Sequence, residues 1–183
     1  MIAQRARDLA AEKHKGQKYG EKDFTEHLVD VSYVLTRFGF GIKEWPYLHA
    51  VAYLHDILED THITHDEITM QFGMDLLRDV FCVTGQGKNR KERNKDISSK
   101  CRSNWKARII KLADRIANVE ASIRYNPELL KMYKKEQMEF FDAMYFGSDG
   151  LDVMWTHLNK ILDAVNQDET MRELAVASAN ESF

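Results

Sequence analysis

Six consecutive residues, His55-Asp56-Ile57-Leu58-Glu59-Asp60, put one imidazole and three carboxylates into an otherwise apolar run. Ala50 to Leu54 lead into them, so the group reads as part of a buried helix. Residues four apart share a helical face, which sets His55 over Glu59 and Asp56 over Asp60. Ionised carboxylates are costly to desolvate, and a cluster of them against a core demands a compensating positive charge. A divalent cation is the simplest such charge. Oxygen and imidazole donors suit Mn, Fe or Zn better than a thiolate-seeking metal. The same residues would also serve as a solvated helix end, and residue type alone leaves both readings open.

Two more positions could join this group. His27 heads an apolar stripe of helical period, Leu28, Val31, Val34, Leu35 and Phe38. A histidine there is either a hydrogen-bonded core residue or a ligand. Asp114 is embedded among Ile109, Leu112, Ala113, Ile116 and Ala117, so it needs a partner. Arg115, Arg108 or a metal would supply one. Asn118 follows one helical turn later and points the same way. His62 and His65 lie in a loop-like setting and read as surface residues.

The elements that must position these groups are helices. A first helix over residues 2–14 buries Ile2, Ala6, Leu9 and Ala10 and stops at Gly16 and Gly20. The loop between carries Lys15 and Lys18, an anion-facing or simply solvated feature. Thr25 is the expected N-cap of the helix bearing His27, which ends at Gly39 and Gly41. Trp45-Pro46 opens a third helix, expected to carry the hexapeptide unbroken. Thr64 with Glu67 forms a capping box for a short helix through Phe72. Met74, Leu77, Val80 and Phe81 mark the next helix, which ends at Thr84-Gly85-Gln86-Gly87. The helix around residues 107–119 carries Asp114. Residues 129–146 and 151–165 read as core helices, and the tail from Gln167 as a last short helix.

Composition sets the outer limits. The chain has 183 residues, 44% of them hydrophobic, with only 9 Gly and 2 Pro. That favours long helices over a turn-rich β-fold. The formal charge of −3 gives no global case for nucleic acid as a partner. Lys88 to Arg108 is the exception, with nine basic residues against two acidic. Such a run is either a solvated face or a segment that closes over a polyanionic ligand. Cys82 and Cys101 form no metal motif and read as reduced thiols of a cytoplasmic protein. No apolar run approaches the ~20 residues needed to span a bilayer. The amino terminus has no signal-peptide core.

His27, then His55-Asp56, then Asp114, on three successive long helices, resembles the HD-domain metal-dependent phosphohydrolases. More narrowly it resembles the hydrolase domain of the RelA/SpoT enzymes and the small Mesh1-like alarmone hydrolases. His14-Lys15-Gly16-Gln17 is similar to the family's HxGQ entry, His55 to Thr61 to HDxxEDT, and Lys111 to Arg115 with Asn118 to KLADRxxN. The resemblance spans roughly residues 3–145. It implies an all-α HD-domain helical bundle, one domain over 1–183, with C-terminal helices in 146–183.

It further implies that His27, His55, Asp56 and Asp114 bind one divalent ion, typically Mn2+. Glu59 and Asp60 become the acid–base pair beside it. Lys18, Tyr19, Lys111, Arg115 and Asn118 become substrate contacts, with part of the 88–108 run holding polyphosphate. The implied reaction is attack of a metal-activated water on the 3′-diphosphate of a guanosine or adenosine polyphosphate such as ppGpp, releasing pyrophosphate. With 183 residues there is no space for a synthetase domain, so a purely degrading enzyme is expected. Its partner is a small nucleotide, neither membrane nor nucleic acid, and a homo-oligomer fits the pattern as well as a monomer does. The sequence departs from the family where an Arg packs on the nucleobase: Lys18 or Tyr19 stands there, and Tyr19 could stack on a purine. Ala117 stands where His or Tyr is common. Two alternatives are a phosphohydrolase acting on another nucleotide or phosphoester, and a nucleic-acid-binding protein using residues 88–108.

Overall fold

The computed structural model describes residues 1–147 and 150–164. The expected tail helix from Gln167 lies outside the described residues. The chain order is α1 (Ile2–Lys13), β1 (Lys18–Tyr19), β2 (Lys22–Asp23), α2 (Phe24–Arg37), α3 (Pro46–Leu54), α4 (Ile57–Asp60), α5 (His65–Phe72), α6 (Met74–Val83), α7 (Arg90–Cys101), α8 (Trp105–Tyr125) and α9 (Pro127–Met144). Residues 152–164 form a further helix.

Helix α8 is the axis of the bundle. It is 21 residues long and packs against α2, α3, α6, α7 and α9. Leu112, Ala113, Ile116 and Val119 are fully buried along it, at the spacing of one continuous apolar stripe. Helix α1 packs along α3, with buried Ala3, Ala6 and Ala10 on one side and Ala50 and Ala52 in the other helix. Small side chains let two helices lie close together. Leu28, Val31 and Leu35 of α2 fill the space toward α3 and α8.

Several local features match the residue chemistry. Thr64 accepts from the Glu67 N–H, and the Glu67 carboxylate accepts from the Thr64 N–H, so the capping box forms as expected. Asn104 and Asn126 cap α8 and α9 by accepting from the Ala107 and Leu129 N–H groups. Gly73 takes φ +86° to join α5 to α6, a conformation L side chains resist.

Three local expectations are corrected. Thr25 is not an N-cap: Asp23 holds that position, in extended backbone, and the helix starts at Phe24. The reason is a two-residue antiparallel hairpin, Lys18 opposite Asp23 and Tyr19 opposite Lys22, where a loop was expected. It delivers an extended Asp23 directly into the helix. The hexapeptide does not lie on one helix either. Helix α3 ends at Leu54, and Asp56 takes φ −101° and ψ −2° before α4 begins. His55 Nδ1 lies 2.8 Å from the Ala52 carbonyl. A carbonyl only accepts, so Nδ1 carries the proton, and the side chain takes an acceptor that the helix backbone would otherwise use.

Candidate metal centre and its surroundings

Three elements bring four side chains to one point. His27 enters from α2, Asp114 from α8, and His55 with Asp56 from the break between α3 and α4. His27 Nε2 lies 3.2 Å from Asp114 Oδ1 and 4.0 Å from Asp56 Oδ2. His55 Nε2 lies 3.1 Å from Asp56 Oδ2 and 3.7 Å from Asp114 Oδ1. One ligand atom each from His27, His55 and Asp114 falls within a 4.8 Å group, all three residues buried. Asp56 stands at its edge, its carboxylate facing both imidazoles.

The donor set fits a divalent cation. His55 Nε2 is completely buried and, although close to Asp56, makes no aligned hydrogen bond. With Nδ1 tied to Ala52, the second ring nitrogen is the one turned to the centre, as a histidine ligand requires. Burial pulls the His55 pKa down, but Asp56 and Asp114 more than offset it and raise it to about 10. Two carboxylates therefore call for a positive charge at this point, which a proton on His55 or a divalent cation would supply. Burial alone would raise the Asp114 pKa. Lys111, together with His27 and His55, holds it well below the ordinary carboxylate range.

The partner of Asp114 is neither of the two arginines that the sequence offers. Lys111 Nζ, half-buried, lies 2.8 Å from Oδ2 of the buried Asp114. Arg115 instead pairs with Glu136 at 3.4 Å, its guanidinium over the Tyr133 and Phe140 rings. Arg108 donates to the Cys101 and Arg102 carbonyls. Only the lysine's flexible stem curls one turn along α8 to reach the inward carboxylate.

Glu59 and Asp60 sit on α4 beside the centre. Glu59 accepts from the Gly85 N–H, and burial raises its pKa. A Cβ at Gly85 would lie 2.7 Å from Arg93 Cβ, so the loop carrying this N–H lies against α7 only with a glycine there. Burial also raises the pKa of Asp60. Its carbonyl accepts from Gln17 Nε2 at 2.6 Å, and Gln17 Oε1 meets His14 Nδ1 at 2.7 Å. The His14-Lys15-Gly16-Gln17 motif thus anchors the end of α4, a role its motif resemblance alone does not disclose.

The other expected contacts divide in two. Asn118 Nδ2 donates to Asp114 Oδ1, and Tyr19 donates its hydroxyl to Asn118 Oδ1 while its ring lies flat on His27. Lys18 is exposed at the hairpin and pairs with Asp23. Lys111, Arg115 and Asn118 line a cavity of about 120 Å³ between α7, α8 and α9, shared with Arg90, Tyr133 and Asp114. Much of the basic run is engaged within the fold. Arg90 pairs with Glu136, Lys100 with Asp96 and Lys106 with Asp79.

A helical bundle whose central helix and two neighbours converge two histidines and two aspartates on one point is an HD-domain architecture. No family model matches the chain. The guanosine-3′,5′-bis(diphosphate) 3′-pyrophosphohydrolase MESH1 of Xenopus tropicalis is 35% identical over 130 residues, covering 67% of this chain and 70% of that protein. The human MESH1 is 34% identical over 128 residues, covering 67% and 70%. The guanosine-3′,5′-bis(diphosphate) 3′-pyrophosphohydrolase of Aquifex aeolicus is 32% identical over 145 residues, covering 75% of this chain and 20% of that longer protein. Among solved structures, a metazoan ortholog of SpoT that hydrolyses ppGpp superposes with a TM-score of 0.74 at 23% identity, covering 89% of this chain and 94% of the other. The chain belongs to the MESH1 family of guanosine-3′,5′-bis(diphosphate) 3′-pyrophosphohydrolases. Among the described residues, no helix is long and apolar enough to cross a membrane.

Proposed function

We propose that this protein removes the 3′-diphosphate from a guanosine or adenosine polyphosphate of the ppGpp type, yielding pyrophosphate and a nucleotide with a free 3′-hydroxyl. The observation that carries this reading is the gathering of His27, His55, Asp56 and Asp114 beside the two acids of α4, in a chain of this family. Those four residues would hold one divalent ion, which we assign as Mn2+. When bound, such an ion supplies a Lewis acid and makes coordinated water more acidic.

The chain's own groups account for the rest. Glu59, whose pKa desolvation raises above the ordinary carboxylate value, is suited to take a proton from the attacking water. Asp60, also raised, supports it and can exchange that proton. The water oxygen adds to the phosphorus on the ribose 3′ oxygen, the 3′ O–P bond breaks, and the ribose oxygen ends protonated. Lys111 fixes Asp114, so that the carboxylate turns Oδ1 to the imidazoles. The cavity between α7, α8 and α9 opens beside Asp114, with Arg90, Lys111 and Arg115 at its walls, where a polyphosphate finds positive charge.

The test is product analysis. Mn2+-loaded protein is incubated with ppGpp, its adenosine counterpart and a panel of nucleoside monophosphates, and the products are resolved by anion exchange. Pyrophosphate with GDP or ADP is the expected outcome. Orthophosphate from a monophosphate would establish the phosphoester alternative instead, and no turnover of any of them would overturn the enzymatic assignment.

A further inference from the structure

Tyr19, one of the two residues at the position of the family's base-packing arginine, is turned to the candidate metal centre. Its ring is parallel to the His27 imidazole, with centroids 4.7 Å apart and planes 14° from each other. Its hydroxyl donates to Asn118 Oδ1. Asn118 Nδ2 in turn donates to Asp114 Oδ1 at 2.5 Å, and that oxygen lies 3.2 Å from His27 Nε2. A side-chain amide has one accepting end and one donating end. With the tyrosine hydroxyl on the accepting end, the donating end is turned to the carboxylate. The hairpin that carries it is pinned in place: Lys22, opposite Tyr19, sets its ammonium 5.2 Å over the Tyr125 ring at the end of α8.

We infer that Tyr19 is a positioning residue for the metal centre, acting twice: its hydroxyl, through Asn118, fixes the oxygen that Asp114 presents, and its ring fixes the plane of His27. The inference rests on the metal-site assignment above. Outer partners of metal ligands typically change affinity by about 10- to 100-fold. The Tyr19 link is one residue further out through Asn118, so the lower end of that range applies.

The experiment measures the affinity for Mn2+ alone, from the free-ion signal in electron paramagnetic resonance. Tyr19→Phe, which keeps the ring and loses the hydroxyl, is expected to weaken Mn2+ about tenfold. Tyr19→Ala is expected to weaken it further, and Asn118→Ala, which cuts the link from its other end, at least as much as Tyr19→Phe. Glu21→Gln, in the exposed turn of the same hairpin, is expected to bind as the unaltered protein does. Wild-type affinity in both Tyr19→Phe and Asn118→Ala would overturn the inference while leaving the metal site standing. Equal weakening in Glu21→Gln would move the effect to the hairpin as a whole and overturn it as well. No Mn2+ binding by the unaltered protein would overturn the inference and the metal site together.

Discussion

Lys111 and Asp114 are bound to each other inside the bundle, Nζ to Oδ2 at 2.8 Å, one helical turn apart on α8. The pair explains how an aspartate survives in an apolar stripe. Burial lowers the Lys111 pKa, but Asp114 and Asp56 more than offset this and hold it above its ordinary value. The ammonium is therefore held charged as the counter-charge of Asp114.

Removing that ammonium leaves a buried carboxylate unpaired. Breaking a buried ion pair from one side costs roughly 3–5 kcal/mol. Lys111→Met is expected to lower the stability of the chelator-treated protein by that order, measured by urea denaturation, and to weaken Mn2+ binding. Unchanged stability would mean that the two histidines alone neutralise Asp114.

Glu59 is assigned the proton-accepting role, and its carboxylate accepts from the Gly85 N–H rather than from any of the four proposed metal ligands. Glu59→Gln is nearly isosteric and cannot accept a proton. It is expected to keep a full complement of Mn2+ by elemental analysis and to lose roughly 10²- to 10⁴-fold in kcat. A variant with both metal and rate intact would make Glu59 a bystander.

His49 provides a pH prediction away from the metal centre. It is fully buried, with Nε2 2.6 Å from the Phe40 carbonyl and Nδ1 2.7 Å from Ser32 Oγ. Burial lowers its pKa, and the Phe40 carbonyl opposes this only in part. The unfolded chain titrates this imidazole near about 6.5, so below that pH it binds more protons than the folded chain does. The contribution of His49 to stability is thus complete above about pH 6.5 and declines as the pH falls toward its lower folded pKa. Tm measured from about pH 7.5 down to about pH 5 should fall more steeply for the unaltered protein than for His49→Gln. Parallel curves would show that His49 is not the titrating group.

The sequence carried the chemistry further than the geometry. Asp114 and Asn118 share a face because helical spacing guarantees it, and the Thr64–Glu67 box forms because both partners lie within one turn. The buried stripe of α8 was legible for the same reason. What escaped depends on contacts between distant segments or on competition for one group. The break at His55 comes from its own ring taking the Ala52 carbonyl, which residue type does not announce. The choice of Lys111 over Arg115 depends on Glu136 being present on α9 to claim the arginine. The hold on Glu59 comes from Gly85, 26 residues away, and that on Asp60 from Gln17, 43 residues away. Only the assembled bundle brings those partners together.

The central claim is that four side chains from three places in the chain share one ion. Its most direct measurement is anomalous scattering from a crystal soaked in Mn2+, collected at the manganese edge. The account predicts one peak at bonding distance, about 2 Å, from His27 Nε2, His55 Nε2 and carboxylate oxygens of Asp56 and Asp114. A peak bound elsewhere, or none at saturating Mn2+, would contradict it.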